Sequence, residues 1–371
     1  MKLLTILLLA PALMSSLVFA QTRVPDKAIV SKADDYINAL VRQERFSGAV
    51  LLARDGQVLL RKGYGLANRE HGIANTPQTK FRLASLTKEF TATAIMMLQE
   101  RGALGVHDSI CKYVPECPAT WQPVTLHHLM NHTSGIPEFY KSFPDIDSFR
   151  RKPTTLAEVV ERARQLSVPA FKPGEKVSYS SLGFMLLGYV IEKASGESYE
   201  DFLRKNILAP LSMSNTGLEH QKVILKQRAA GYARDKDQSL INAPYYDLSY
   251  ISAAGGLYST VEDLYLWDQA FYTEKLLKKA SLATMFTSGL ENFAYAWDSL
   301  RQYNRPFIRA DGRSFGFSNS LARYPDDKVT VIVLSNIETA GADKIADNLA
   351  AIIFGEKYED PALNKRAKPS E

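Results

Sequence analysis

Ser85-Leu86-Thr87-Lys88 joins a hydroxyl and an amine at a spacing that can do chemistry. Ser85 to Arg101 reads as one helix, and helix positions i and i+3 share a face about 5–6 Å apart. The amine can therefore reach the hydroxyl. A serine hydroxyl is a weak nucleophile until a base takes its proton. A lysine can be that base when burial or nearby cations favour its neutral form, so the pair needs no histidine. Tyr179-Ser180-Ser181 follows about ninety residues later, on a turn between Pro173-Gly174 and an apolar helix. A tyrosine close to cations gives up its proton more readily. It could share the proton of Ser85 and later protonate a leaving group.

Ser-x-x-Lys also arises by chance. Ser109-Ile110-Cys111-Lys112 matches it in a loop-like stretch with no long helix behind it. Gly312-Arg313-Ser314-Phe315-Gly316 matches the Gly-x-Ser-x-Gly elbow of α/β-hydrolases. That chemistry needs a histidine after the serine in chain order and a helix directly behind it. The six histidines all precede Ser314, and Phe317 to Tyr324 has strand character. A metallohydrolase is the third possibility. His127, His128 and His132 lie close together, but no glutamate fills a His-Glu-x-x-His pattern and Gly135 and Pro137 break any helix soon after. Hydrogen-bonded structural histidines fit better, and neither a metal nor another cofactor is expected.

The chain has 371 residues, which allows one large domain or two. Lys2 followed by the apolar run Leu3 to Val18, and then Val18-Phe19-Ala20, reads as a secretory signal peptide over residues 1–20. The mature chain is expected to start near Gln21 and to be periplasmic or secreted. No later stretch is long and apolar enough for a membrane span. The net charge of +5 is spread along the chain, so no nucleic-acid partner is implied. In an exported chain, Cys111 and Cys117 suggest a disulfide that pins a surface loop.

The elements that must hold Ser85, Lys88 and Tyr179 are legible in outline. Ser31 to Phe46 has helical spacing. Gly48 to Ala53 and Gln57 to Lys62 flank Arg54-Asp55-Gly56, a hairpin signal. In the helix behind Ser85, Phe90, Ala94, Met97 and Leu98 make one buried stripe, and Glu89 in the first turn suits the helix dipole. From about 104 to 270 the chain is mostly helical and loop-rich, with helices over Leu182 to Ala194 and Thr260 to Phe271. Phe317 to Tyr324 and Val329 to Leu334 are strands around a turn, and a helix from about Ala340 to Phe354 follows. These elements predict an α+β fold: residues 21–359 as one domain, an antiparallel sheet from both chain ends, flanking helices and an inserted helical region. Residues 360–371 read as a polar tail. The cleft between sheet and helical region is the natural site.

Ser85-x-x-Lys88 with Tyr179-Ser180-Ser181 resembles the serine β-lactamase and penicillin-binding-protein superfamily. The class C-like branch, with its D-alanyl-D-alanine carboxypeptidases, D-aminopeptidases and esterases, is most similar. His132-Thr133-Ser134-Gly135, Pro210-Leu211-Ser212-Met213, Asn215-Thr216-Gly217 and Ala253-Ala254-Gly255-Gly256-Leu257-Tyr258 look like further motifs of that branch, in the same order, over about residues 30 to 355. The resemblance implies a β-lactamase/transpeptidase-like fold with Ser85 as acylated nucleophile and Lys88 and Tyr179 as acid and base. It implies substrate binding or oxyanion roles for Ser181, Gly312 and Arg313, together with the Ser85 amide. The strand motif, usually Lys or His, then Ser or Thr, then Gly, falls on Ala310-Asp311-Gly312. The glycine is kept, the cation is replaced by Ala310, and Asp311 is placed where it could repel an anionic substrate. Arg309 and Arg313 flank the motif, but alternate strand residues face opposite ways. The implied activity is a serine hydrolase on an ester, amide or β-lactam, shifted by Ala310 toward esterase-like or peptidase-like turnover. The alternative is a slowly acylating or non-catalytic protein that holds a peptidoglycan fragment or β-lactam.

Overall fold

A computed structural model describes residues 24–361. The signal-peptide reading of residues 1–20 and most of the polar tail lie outside the described residues. The chain starts with helix α1, Asp26–Arg42, which buries Ile29, Ala33, Tyr36, Ile37 and Leu40 along one face. Strands β1 (Gly48–Arg54) and β2 (Gln57–Tyr64) follow as a hairpin, with Asp55 and Gly56 both at positive φ in the turn. Helices α2 (Thr87–Glu100), α3 (Ser181–Ser195) and α4 (Val261–Ala270) belong to the region between. The chain then returns to strands β3 (Asp298–Gln302), β4 (Arg305–Ser314), β5 (Phe317–Tyr324) and β6 (Val329–Ser335). Helix α5, Ala342–Phe354, comes last.

The strands make one six-stranded antiparallel sheet in the order β3-β4-β5-β6-β1-β2. Both chain ends contribute to it, as the sequence predicts. Strand period two divides its side chains between two cores. Ala49, Leu51, Leu321, Ile332 and Leu334 pack toward the helical region. Val50, Leu52, Val331 and Val333 pack toward α1 and α5. Each such side chain contributes about 1.5–3 kcal/mol when fully buried, so β1 and β6, buried along their whole length, tie the two layers together.

Three expectations change. Ser85 is not the first residue of a regular α-helix: it lies in a 3-10 turn, Ala84–Leu86, with Ala84 at φ 50°, and α2 starts at Thr87. Helix α2 has no solvent face over most of its length, since Thr87 to Leu98 are all buried. The predicted stripe is one side of a helix enclosed all round. The helical region also contains short sheet: Phe81–Arg82, Leu257–Ser259 and Gly217–Leu218 pair together, and Tyr232–Arg234 pairs with Leu240–Asn242. As the missing histidine and the strand after it predict, the Gly-x-Ser-x-Gly match is no nucleophile elbow: it spans the end of β4 and the β4–β5 hairpin turn, with Phe315 and Gly316 at positive φ.

Glu89 lies in the first turn of α2, as the sequence predicts, and it is fully buried there. Burial, together with the Asp268 charge, raises its carboxyl well above the usual range, against the opposing effects of the Trp267 N–H and Arg323. Asp268 itself accepts hydrogen bonds from Arg323 Nε at 2.7 Å and Thr330 Oγ1 at 2.6 Å, fastening α4 to the sheet. The folded state keeps the Glu89 proton at pH values where the unfolded chain has lost it. Its contribution is neutral below the ordinary value of 4.5 and becomes a growing cost as pH rises above it, up to about 1.4 kcal/mol per pH unit until the folded group ionises. Glu89→Gln is expected to melt at a higher temperature than wild type at pH 8, with the gap closing toward pH 4. Thermal unfolding followed by circular dichroism across that range measures it.

Candidate active site

Two backbone facts place Ser85. The 3-10 turn before α2 holds its side chain at the mouth of the cleft between sheet and helical region. Strand β4 then presses against that turn. A Cβ on Gly312 would lie 2.1 Å from the Leu83 carbonyl oxygen and 3.1 Å from the Leu86 amide nitrogen, so only glycine allows the approach. Asn319, opposite Gly312 in the sheet, donates through Nδ2 to the Arg82 and Leu83 carbonyls and holds the turn from the other side.

Ser85, Lys88 and Tyr179 come together as a tight cluster. Ser85 Oγ lies 3.1 Å from Lys88 Nζ and 2.6 Å from the Tyr179 hydroxyl. Lys88 is 2% exposed. Its Nζ also donates to the Ala254 carbonyl at 2.8 Å and lies over the rings of Tyr179 and Phe184, at 4.9 and 5.7 Å. Among the described residues no carboxylate pairs with this amine. The carbonyl is delivered by the short helical turn Ser252–Gly255, against which α3 packs at Gly188, where a Cβ would come within 2.3 Å of the Ala253 Cβ.

The turn from His132 to Glu138 braces the segment carrying Tyr179. The amide of Ser178 donates to the His132 carbonyl at 2.8 Å, and that of Ser180 to His132 Nδ1 at 3.2 Å. The His132 ring lies 4.3 Å from the Tyr179 ring. Burial, aided by the Lys88 charge, pushes this histidine down to about 3, so it stays neutral and able to accept. Ser180 Oγ caps α3 by accepting from the Gly183 amide. The amide of Ser181 donates to Glu138 Oε2 at 2.7 Å. Glu138 is the site residue that the sequence did not single out. Only its place directly after the Gly135-Ile136-Pro137 turn marks it, and carboxylates in loops are commonplace.

Ser85, Tyr179, Ser181, Glu138, Arg150 and Arg313 line one cavity of about 790 Å³. On the sheet side Arg313, Ser314 and Phe315 line it, and Gly312 packs against the Ser85 turn. Ala310 is buried in the core on the helical face of the sheet, so a methyl group occupies the position of the cation in the family motif. The expectation that Asp311 confronts a substrate is corrected. Alternation turns it to the α5 face, where Arg309 Nε lies 3.0 Å from it and Arg309 also pairs with Asp347. Burial pushes Asp311 up to about 6 even so. Arg309 is thereby directed away from the cleft. Arg313, at the end of the strand, is exposed and reaches the cavity rim.

The remaining candidates lie apart from this cluster. Cys111 and Cys117 are joined by a disulfide in the loop before Trp121. Ser109 hydrogen-bonds Gln122, and Lys112 pairs with Asp108 at 2.8 Å, so the second Ser-x-x-Lys match makes no catalytic pair. His127 contacts Tyr295 and His128 contacts Thr125. No group of three or more metal-ligating side chains occurs among the described residues.

Known proteins resemble this chain along nearly all of the described region. The Beta-lactamase family model matches residues 33–355. Penicillin-binding protein 4* of Bacillus subtilis (strain 168) is 32% identical over 345 residues, covering 87% of this chain and 75% of that protein. The octameric penicillin-binding protein homologue from Pyrococcus abyssi superposes with a TM-score of 0.80 at 31% identity, over 88% of this chain and 78% of that one. A penicillin-binding protein from Bacillus halodurans gives a TM-score of 0.75 at 25% identity, over 85% and 98%. The chain belongs to the Beta-lactamase family, within the serine β-lactamase and penicillin-binding-protein superfamily.

Proposed function

We propose that the protein is an exported serine hydrolase that forms an acyl-enzyme on Ser85 and cleaves an ester or amide. The observation that carries this reading is the position of Ser85 Oγ, 3.1 Å from Lys88 Nζ and 2.6 Å from the Tyr179 hydroxyl. Both distances lie within proton-transfer reach. Ser85 Oγ attacks the substrate carbonyl as its proton passes to the Lys88/Tyr179 pair. The negative oxygen that develops is held by the Ser85 amide and an amide at Arg313, a preorganised pair of donors. The pair then returns the proton to the leaving alcohol or amine. In the second half, a water gives its proton to the same pair, attacks the acyl-enzyme and frees Ser85.

Export rests on the basic, apolar and small-residue order of residues 1–20, and places the enzyme in the periplasm or outside the cell. No helix among the described residues is long and apolar enough to cross a membrane. Ala310 favours a second reading, a protein that acylates slowly or only binds, because the cation usual in that slot is missing. Intact mass after exposure to a fluorophosphonate probe separates the two. Rapid addition of one probe per chain, abolished in Ser85→Ala, supports the hydrolase. A folded wild type that stays unlabelled supports the binder.

Two further outcomes are expected. Tyr179→Phe keeps the ring that packs against His132 but removes the hydroxyl, and is expected to lower kcat on a p-nitrophenyl ester by about 10²–10⁴-fold. Full activity in that variant would leave the acid/base role to Lys88 alone. Gly312→Ala forces β4 and the Ser85 turn apart. About an ångström of misplacement is expected to cost roughly 100-fold in kcat/KM, with folding checked by circular dichroism.

A further inference from the structure

Between Glu219 and Ala229 the chain makes a closed loop with a fixed base and a bare tip. At the base, the buried Glu219 carboxylate accepts from Arg82 at 2.7 and 2.9 Å and from Arg228 Nη1 at 2.8 Å, which joins the two feet of the loop. Lys80 holds the second foot through the backbone: its amide donates to the Gln227 carbonyl at 2.8 Å and its carbonyl accepts from the Ala229 amide at 3.0 Å. Arg82 lies in the short strand that leads into the Ser85 turn, so the base belongs to the frame of the cleft. The tip has the opposite character. Ile224 is 92% exposed, more than any other large apolar side chain among the described residues, and Val223 is 59% exposed. Lys222 and Lys226 flank them, both exposed, and among the described residues neither pairs with a carboxylate. No Asp or Glu occurs from His220 to Arg228.

Adjacent apolar side chains between unpaired lysines fit a lipid interface. There the apolar groups enter the acyl boundary while the ammonium groups stay at the headgroup phosphates. A partner protein fits less well, since a stable protein interface buries about 1,200–2,000 Å² in total, far more than one short loop tip offers. We propose that the tip from Lys222 to Lys226 is a docking element for an anionic lipid surface. Its place in the fold gives the docking a direction. Gln221 Nε2 donates to the Tyr246 carbonyl at 3.4 Å, the Tyr246 ring lies 5.6 Å from the Phe315 ring, and Phe315 lines the cavity that holds Ser85. Tyr245, next to Tyr246 in the chain, is 52% exposed, and tyrosine suits the headgroup level. Docking through this loop brings the cavity mouth toward the bilayer face, so a substrate carried on that face reaches Ser85 without leaving it. Only this last consequence rests on the hydrolase reading; the docking needs no turnover.

Co-sedimentation with lipid vesicles tests the proposal, using the chain as exported and processed, with its start read by intact mass. Each lysine near an anionic surface is worth about fivefold in partitioning. Vesicles of phosphatidylglycerol and phosphatidylcholine in equal parts are therefore expected to bind wild type at least about tenfold more tightly than phosphatidylcholine alone, and the gap should close at high salt. Val223→Ser/Ile224→Ser is expected to weaken binding at least about tenfold, and Lys222→Gln/Lys226→Gln to abolish the preference for the anionic vesicles. Both double variants should keep the wild-type melting temperature and the wild-type rate on a soluble p-nitrophenyl ester. In Ile224→Trp, tryptophan emission should move to shorter wavelength when anionic vesicles are added. A wild type that stays in the supernatant with both vesicles overturns the docking, as do double variants that sediment like wild type. A wild-type dimer that Ile224→Ser splits in sedimentation velocity would assign the tip to a second copy and overturn it too. Vesicle binding by a wild type that turns over no ester would sink the hydrolase reading and keep the docking.

Discussion

The buried amine of Lys88 is the constraint on which the cleft depends. A lysine at 2% exposure has lost most of its water, and among the described residues no carboxylate is bonded to it. It is tolerated only where fixed dipoles replace that water. The Ala254 carbonyl, Ser85 Oγ and the faces of two aromatic rings do so. Each belongs to a different element, so satisfying one nitrogen fixes the mutual positions of α2, α3 and the Ser252–Gly255 turn. The close contact at Gly188 is part of the same requirement. A larger residue there would push the Ala254 carbonyl away from the amine it serves.

A second layer of positioning comes from backbone amides. The segment around Tyr179 is not in regular structure, yet three of its amides are taken up by His132 and Glu138. Their two side-chain acceptors work only while His132 lacks a proton on Nδ1 and Glu138 keeps at least one free oxygen lone pair. Burial secures the first. The turn from His132 to Glu138 therefore shapes the cleft without any of its groups touching Ser85 Oγ.

The outline of the sheet and the Ser85/Lys88 pair are legible because their signals are local, whereas Tyr179, 94 residues from Ser85, is marked by its turn before a helix and by the family resemblance. Strands β1, β2, β5 and β6 carry apolar runs bounded by turn residues, and Ser85 and Lys88 lie one turn apart. Strands β3 and β4 were not bounded from sequence because their polar pattern, Asp298-Ser299-Leu300-Arg301-Gln302 and Arg305 to Ser314, buries few apolar side chains. The enclosure of α2 is hidden because its polar threonines, Thr87, Thr91 and Thr93, suggest contact with solvent. They instead spend their hydroxyls inside, Thr91 on Tyr199 and the Ala253 carbonyl, and Thr93 on the Glu89 carbonyl. Glu138 escaped notice because its meaning depends on Ser181, forty-three residues away. The direction of Asp311 needed the strand register, which the pairing of Gly312 with Asn319 supplies.

The uneven lengths of the strands beside β4 have one more consequence. Strand β3 pairs with β4 only from Arg305 to Arg309, whereas β5 accompanies it to Ser314. Beyond Arg309 one edge of β4 has no strand partner among the described residues, next to the turn that carries Ser85. An open edge presents only peptide N–H and C=O groups, and these are the same whatever side chains a visiting chain bears. It can register an extended acyl chain the way one strand registers another, without preferring one sequence. Discrimination must then come from the walls on either side of that edge, which makes the strand a ruler and the walls the reader.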